Sequence, residues 1–176
     1  MPQSIVPERN FALVPPMHLV LRVPADGMRL EVMVAQHKAV IEKHGAVWMG
    51  IQTMSLGERL RAPLSAQIKD SIPTFIYLMQ KSGSSFEAYK GNMAGSTNYV
   101  RPGMQDMMPR YYSDSQLLPR FKGWVEVTSF TKANEKEIAH LAMYSTGTQL
   151  LYVLQRSMFS FGSVYVSRHE PPRSCP

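Results

Sequence analysis

Histidines are the residues in this chain best suited to binding a metal, but their spacing in the sequence does not match that of a metal-binding site. His37 and His44 are one heptad apart and would share a helix face, but no third ligand accompanies them. This pattern favours a half-buried helix with an imidazole near its C-terminal dipole over a metal site. Cys175 is the single cysteine and lies near the end of the sequence, so it predicts neither a disulfide nor a thiolate metal site.

Motifs that mark catalysis are missing from the sequence. It has no glycine-rich phosphate loop, no HExxH zinc motif and no GxSxG nucleophile turn. The acidic residues form no pair suited to general acid–base work. We therefore expect a protein that is not an enzyme and that uses no cofactor and no metal.

Aromatic residues interleaved with cations are more informative. Aromatic rings stack on unpaired bases while lysine and arginine hold phosphates. The net charge of +6 is compatible with a polyanionic partner. The alternative is that the strand tryptophans are core residues, that the adjacent tyrosines pack within their loop, and that the 13 methionines fill gaps.

Composition limits the class of protein. A chain of 176 residues with 44% apolar residues predicts one globular domain, and 18% charged residues argue against disorder. The most apolar early stretch, residues 11–23, contains Pro15, Pro16 and Arg22, so it predicts neither a membrane span nor a signal peptide. Together with the single cysteine, this favours a reducing, cytoplasmic location.

Apolar periodicity and turn residues predict the elements. A helix is predicted over 27–44, with Asp26 as its N-terminal cap and Gly45 at its end. Ser55 and Glu58 form a capping box at the start of a second helical stretch, which Pro63 divides. A second helix is therefore expected at 64–70, and a third over 134–142 begins at Asn134. Predicted strands occupy 19–23, 46–51, 74–80, 85–91, 123–130, 150–154 and 164–166, and residues 92–119 are predicted to be irregular.

This order predicts an α+β fold, with a small curled mixed β-sheet or barrel flanked by helices. Residues 1–25 are predicted to be a proline-punctuated arm whose strand 19–23 lies at a sheet edge. Residues 26–169 would form the domain, and residues 170–176 a frayed tail.

Several segments resemble a known superfamily. TFIYLMQKSGSSFEAYKG (74–91), FKGWVEVTSF (121–130) and TGTQLLYVL (146–154) resemble strands of YTH domains. EKHGAVWMGI (42–51) is similar to EVE-type domains, including those fused to McrB-type restriction ATPases. Both types belong to the PUA-like superfamily, and the similarity covers about residues 26–166.

The resemblance implies a reader of modified bases in DNA or RNA. Such domains flip a methylated adenine or modified cytosine into an aromatic cage, and they work with a partner or fused nuclease or ATPase. The sequence lacks the Gly-Val-Trp-Ser of YTH domains, so Tyr111 or Tyr112 would replace one wall. The cage expected by this resemblance comprises Trp48, Gly50, Gln52, Thr53, Tyr111, Tyr112, Trp124, Ser129 and Phe130. The expected phosphate-binding residues are Lys90, Arg101, Arg110, Arg120 and Lys122.

Two alternatives remain open at this point. The same scaffold would also suit a domain that binds a small molecule or a protein partner. An enzyme with unrecognised chemistry is the third hypothesis. The sequence specifies neither the base nor the polymer.

Overall fold

A computed structural model describes residues 14–52, 56–114, 118–156 and 159–167. The Ser55 cap, Thr53 and the predicted tail lie outside these residues. Short 3-10 turns occur at Met104–Met107 and Leu118–Arg120. The strands are β1 His18–Val23, β2 Val47–Ile51, β3 Phe75–Ser82, β4 Ser85–Thr97, β5 Gly123–Lys132, β6 Leu141–Met143 and β7 Phe161–Val166. The helices are α1 Leu30–His44, α2 Glu58–Lys69, α3 Arg110–Asp114, α4 Glu135–Ala139 and α5 Leu150–Arg156.

The strands form one mixed sheet in the order β2-β5-β4-β3-β1-β7-β6. Strands β1 and β3 run parallel, and the other pairs are antiparallel. This architecture confirms the α+β class with a mixed sheet. Across the described residues the sheet is open between β2 and β6 and does not close into a barrel.

Strand β1 lies inside the sheet, so its predicted edge position is wrong. It pairs with β3 on one side, through Leu19 and Ile76, and with β7 on the other, through His18 and Val164. Leu19 and Val20 are both fully buried, one towards each face. The segment 1–25, predicted to be an arm, therefore contributes an interior strand that the prolines only flank.

The β3–β4 hairpin is confirmed, with Gly83 at a φ of 62° in its turn. Strand β4 continues to Thr97, which corrects the expectation that irregular structure begins at residue 92. The extension pairs with β5 and contains register shifts around Met93. These bulges interrupt the alternation of apolar and polar residues, which hides the strand from sequence analysis.

Helix α1 begins later than predicted and has no Asp26 cap. The backbone N–H of Leu30 instead donates to Oε1 of Gln80 on β3, at 2.8 Å. The helix ends as predicted at Gly45, which adopts a φ of 83°. Capping by a distant strand residue cannot be seen in the local sequence.

Helix α2 runs through Pro63, so the predicted division there is wrong. A proline has no backbone N–H to donate. Pro63 lies in the early turns of α2, so one backbone carbonyl there loses its hydrogen-bond partner. The buried Leu64 that follows packs in the core and holds the helix on the sheet.

The predicted strand at 150–154 is helix α5. A short apolar run fits either structure, and the helix places Leu150 and Leu154 together in the core while Tyr152 faces solvent. Helix α4 is confirmed, because Asn134 accepts a hydrogen bond from the Glu137 N–H at 2.7 Å. It is shorter than predicted, and Leu141–Met143 forms strand β6.

Helices cover both faces of the sheet. Leu30 and Val34 of α1 and Leu64 of α2 pack on the face that carries Ile76 and Leu78. Helices α4 and α5 pack on the opposite face, which carries Tyr77 and Met79. None of the described helices combines the length and apolarity needed to cross a bilayer.

Candidate ligand pocket

A cavity of about 390 Å³ opens beside the edge strand β2. It lies between the end of β1, the start of α1, strand β2 and helix α3, and we call it the tyrosine pocket. Its lining is mainly apolar, as is usual for sites that bind small organic groups. The lining residues are Leu21, Arg22, Val23, Pro24, Gly27, Met28, Met33, Met49, Gly50, Gln52, Tyr111, Tyr112, Phe121 and Ser160.

Tyr112 holds α3 against the free edge of β2. Its side chain is 3% exposed, and its hydroxyl accepts a hydrogen bond from the Gly50 N–H at 3.1 Å. Its ring packs edge-on against Phe121 and Trp124, at centroid distances of 4.8 and 5.7 Å. This contact covers part of a strand edge that would otherwise expose a backbone donor.

Tyr111 lies next to Tyr112, with a centroid distance of 4.4 Å between the two rings. Tyr111 is half-buried and lines the pocket. Burial raises the pKa of both hydroxyls above the usual tyrosine value. Both therefore remain neutral and offer the pocket aromatic surface without charge.

Gly50 is required by close packing. A Cβ at this position would overlap the Phe121 ring, which lies directly against the Gly50 backbone. The absence of a side chain lets Phe121 form part of the pocket wall. The resemblance leads us to expect Gly50 in the cage. In the structure, close packing against Phe121 explains why this position has no side chain.

His37 of α1 lies beneath the two tyrosines, within about 6 Å of both ring centroids. Its Nδ1 is 2.7 Å from the Met33 carbonyl oxygen, so that nitrogen carries the proton and donates. Nε2 is buried and has no hydrogen-bond partner among the residues that the structure describes. Burial lowers the pKa of His37 to about 4, against a smaller raising effect of the Met33 hydrogen bond.

His37 and His44 do not form a metal site. His37 is buried under aromatic rings, whereas His44 is exposed at the end of α1. No group of three or more histidine, cysteine or acidic side chains with metal-binding geometry occurs among the described residues.

The pocket brings together four of the residues expected in the cage: Gly50, Gln52, Tyr111 and Tyr112. Gln52 is exposed and supplies an amide to the pocket lining. An amide can both donate to and accept from the edge of a base. Thr53 lies outside the described residues.

Other residues expected in the cage are core residues or lie elsewhere. Trp124 is 1% exposed and is covered by Tyr112 and Phe121, and Phe130 is 4% exposed under His37. Neither ring is accessible to a base, which corrects their expected role. Trp48 is half-buried and packs against a cluster formed by Met104, Met108, Tyr112 and Trp124. Ser129 is exposed on β5, outside the pocket.

The expected phosphate-binding residues also divide into two groups. Lys90 donates to Glu137 at 2.8 Å and lies 4.8 Å from the centroid of the Phe75 ring, on the face opposite the pocket. This ion pair engages its charge, so Lys90 is a poor candidate for phosphate binding. The other four are exposed between β4 and β5: Arg101, Arg110, Arg120 and Lys122.

Sequence analysis missed a second cavity of about 400 Å³ that shares Arg22 with the tyrosine pocket. We call it the cationic groove. Its cations come from β1, β3 and α5, which are distant in sequence, so no local motif could reveal them. The groove is lined by Arg22, Lys81, Ser84, Phe86, Leu154, Gln155 and Arg156.

Sequence analysis also does not assign Met28, Met33 and Met49 to the pocket. Methionine side chains are flexible and polarizable, and they pack well against aromatic ligands. The signal available in the sequence is the total of 13 methionines, which gap filling in the core would explain equally well.

Comparisons of the chain with protein families, with curated proteins and with solved structures gave no match.

Proposed function

We propose that this protein binds nucleic acid and takes one unstacked, modified base into the tyrosine pocket. The observation that carries the proposal is the tyrosine pocket itself, an apolar cavity lined by tyrosine and methionine. The exposed cations Arg110, Arg120 and Lys122 are adjacent in sequence to its lining residues Tyr111 and Phe121. A single-stranded nucleic acid presents the matching pair of groups, an aromatic base and a charged phosphate. A relationship to the PUA-like domains, of the EVE or YTH type, belongs to this proposal and is compatible with the mixed sheet and its flanking helices.

The pocket lining supports recognition of a methylated base. Tyr111 offers an aromatic ring for contact with a base, and Met28 and Met33 offer apolar contacts to a methyl group. Burial of one methyl group contributes about 0.8 kcal/mol. Since tenfold corresponds to about 1.4 kcal/mol, burial alone gives about a fourfold preference, and close packing increases it.

Gln52 supports recognition of the base edge. Its side chain is the one amide among the pocket-lining residues, and it is exposed. Unstacking a base costs a few kcal/mol, so phosphate contacts must supply part of the affinity. The net charge of +6 favours such contacts.

Binding isotherms test this function. The probes are short single- and double-stranded DNA and RNA, with and without N6-methyladenine or 5-methylcytosine, at two salt concentrations. We expect at least tenfold preference for one modified single strand, a difference of about 1.4 kcal/mol. Equal affinity for modified and unmodified probes would exclude a modified-base reader. Binding of small apolar molecules with no salt dependence would favour the small-molecule alternative.

A pocket-filling variant locates the base. Met28→Trp places a large ring in the pocket, and we expect it to abolish the preference for the modified probe. Val32→Trp is the matched control, because Val32 is 44% exposed on α1 and does not line the pocket. Full preference in Met28→Trp would show that the base binds elsewhere.

A further inference from the structure

We infer that a third cavity, next to the tyrosine pocket, binds a nucleotide adjoining the one whose base enters that pocket. The cavity has a volume of about 800 Å³ and lies between α1 and residues 105–111. We call it the flanking cleft. This inference rests on the proposed function, and it specifies where the strand continues beyond the flipped base.

The flanking cleft and the tyrosine pocket follow one another between the same two walls. Helix α1 forms one wall of both, because Met33 lines the pocket and Gln36, about one turn further along, lines the cleft. The facing wall is also continuous. Tyr112 lines the pocket, Arg110 lines the cleft, and Tyr111 between them lines both. A strand that places one base in the pocket therefore enters the cleft with its next nucleotide.

The polar groups of the cleft suit a base better than a simple anion. Gln36 and Gln105 supply one amide from each wall, and Asp106 supplies a carboxylate. An amide both donates to and accepts from a base edge, and a carboxylate accepts from an exocyclic amino group. The same carboxylate repels a bare anion, whereas the amino group of adenine or cytosine satisfies it.

Lys43 supplies a charge for the phosphate of this nucleotide. It is exposed in the last turn of α1 and forms no ion pair with a carboxylate among the described residues. The exposed imidazole of His44 follows it and also lines the cleft. The helix dipole accounts for basic residues at the end of a helix, but it does not account for the two amides that the cleft presents beside them.

Abasic probes test whether the neighbouring base is bound. The probes are single-stranded DNA and RNA oligonucleotides with one N6-methyladenine or one 5-methylcytosine, either intact or without the base immediately 5′ or 3′ of it. We expect the wild type to lose about fivefold or more in affinity for one of the two abasic probes, because contacts with a single base commonly contribute that much. Equal affinity for all three probes would overturn the inference. Equal losses on both sides would overturn it as well, because the cleft holds one neighbour.

Removing the two amides shows whether the cleft is responsible for that loss. In Gln36→Ala/Gln105→Ala, the missing base should change the affinity by less than about twofold, because the contacts it removes are already absent. Gln155→Ala is the control, since Gln155 is exposed on α5 and lines neither the cleft nor the pocket. Full sensitivity to the missing base in the double variant would overturn the inference. Circular dichroism and thermal melting establish that each variant folds.

Two lysines of α1 form a matched pair for the phosphate. Both Lys43 and Lys38 are exposed on the helix, but only Lys43 lines the cleft. We expect Lys43→Gln to bind every probe about threefold more weakly at low salt, with a slope of log affinity against log salt that is shallower by about 0.7. Lys38→Gln should change affinity by less than about twofold. Equal decreases in the two variants would overturn the inference, since only overall charge would then matter.

These failures differ from failure of the proposed function. That failure would appear as wild-type protein with equal affinity for intact modified and intact unmodified probes. A wild type that prefers the modified probe but ignores both missing neighbours would keep the proposed function and lose this inference. The preference for the modified probe should persist in the double amide variant, because its substitutions leave the tyrosine pocket unchanged.

Discussion

On the face of the sheet covered by α4 and α5, one carboxylate accepts from two neighbouring donors, whereas on the face covered by α1 a buried nitrogen has no partner among the described residues. The Tyr77 hydroxyl and the Lys90 ammonium both donate to Oε1 of Glu137 at 2.8 Å. On the opposite face, beneath the tyrosine pocket, Nε2 of His37 has no hydrogen-bond partner within the described part of the chain.

The difference separates a structural region from a functional candidate. Buried polar groups are nearly always paired, so a complete network such as that around Glu137 stabilises the fold. Nε of Arg61 and Oγ of Ser96 are also buried without a partner among the described residues, but they do not line the pocket. An unpaired buried group is costly to stability, and one that lies next to an open cavity is the kind expected at a functional site. The sheet thus places its stable polar network on one face and its candidate site on the other.

The largest expected effect is acid destabilisation through the two buried histidines. Burial lowers the pKa of His37 to about 4. Burial also lowers the pKa of His18 to about 4, with Glu137 opposing and Lys90 adding to this shift. Both are neutral when folded, but in the unfolded chain they bind protons below about pH 6.5. Stability should therefore fall between pH 6.5 and 4, by up to about 3 kcal/mol for each histidine.

Urea denaturation at several pH values measures this fall. His37→Phe should keep the aromatic packing and remove one of the two titrations, so its stability should depend less steeply on pH than that of the wild type. Identical slopes in the two proteins would mean that His37 is protonated in the folded state.

The next largest effect is expected from Glu137→Ala. This change leaves Lys90 and the Tyr77 hydroxyl without their shared acceptor, where the Lys90 and Glu137 side chains are only 25% and 21% exposed. We expect a decrease of about 2–3 kcal/mol in the free energy of unfolding. Glu135→Ala, an exposed change in the same helix turn, is the control and should cost less than about 1 kcal/mol. Similar decreases in both variants would indicate a helix effect only.

The smallest effect should come from Tyr112→Phe. It keeps the ring and removes the acceptor of the Gly50 N–H, so we expect the free energy of unfolding to fall by about 1–2 kcal/mol. Tyr99→Phe is a neutral control, because Tyr99 is 75% exposed. Chemical denaturation checks both, and an unchanged stability in Tyr112→Phe would show that the edge of β2 does not need this hydrogen bond.

The accuracy of the sequence predictions follows the range of the interactions involved. The hairpin around Gly83 and the Asn134 cap are predicted correctly because turn and cap chemistry acts over a few residues. Helix α5 is predicted as a strand because its apolar run fits both structures, and contact with the core decides between them.

The candidate site shows the same division. Gly50, Gln52, Tyr111 and Tyr112 are expected near a pocket and do line one. Trp124 and Phe130 are expected there too, but side chains on a strand alternate between faces, and β-bulges change that alternation. The direction of a strand aromatic therefore cannot be read from its residue type.

The sequence by itself determined the α+β class, the hairpin, most strands and the excess of positive charge. Each of these depends on composition or on neighbours along the chain. Tertiary structure alone decided that β1 lies inside the sheet, that Gln80 caps α1, and that Arg22, Lys81 and Arg156 share one groove. The physical reason is that these features join residues distant in sequence, and such contacts exist only once the chain has folded.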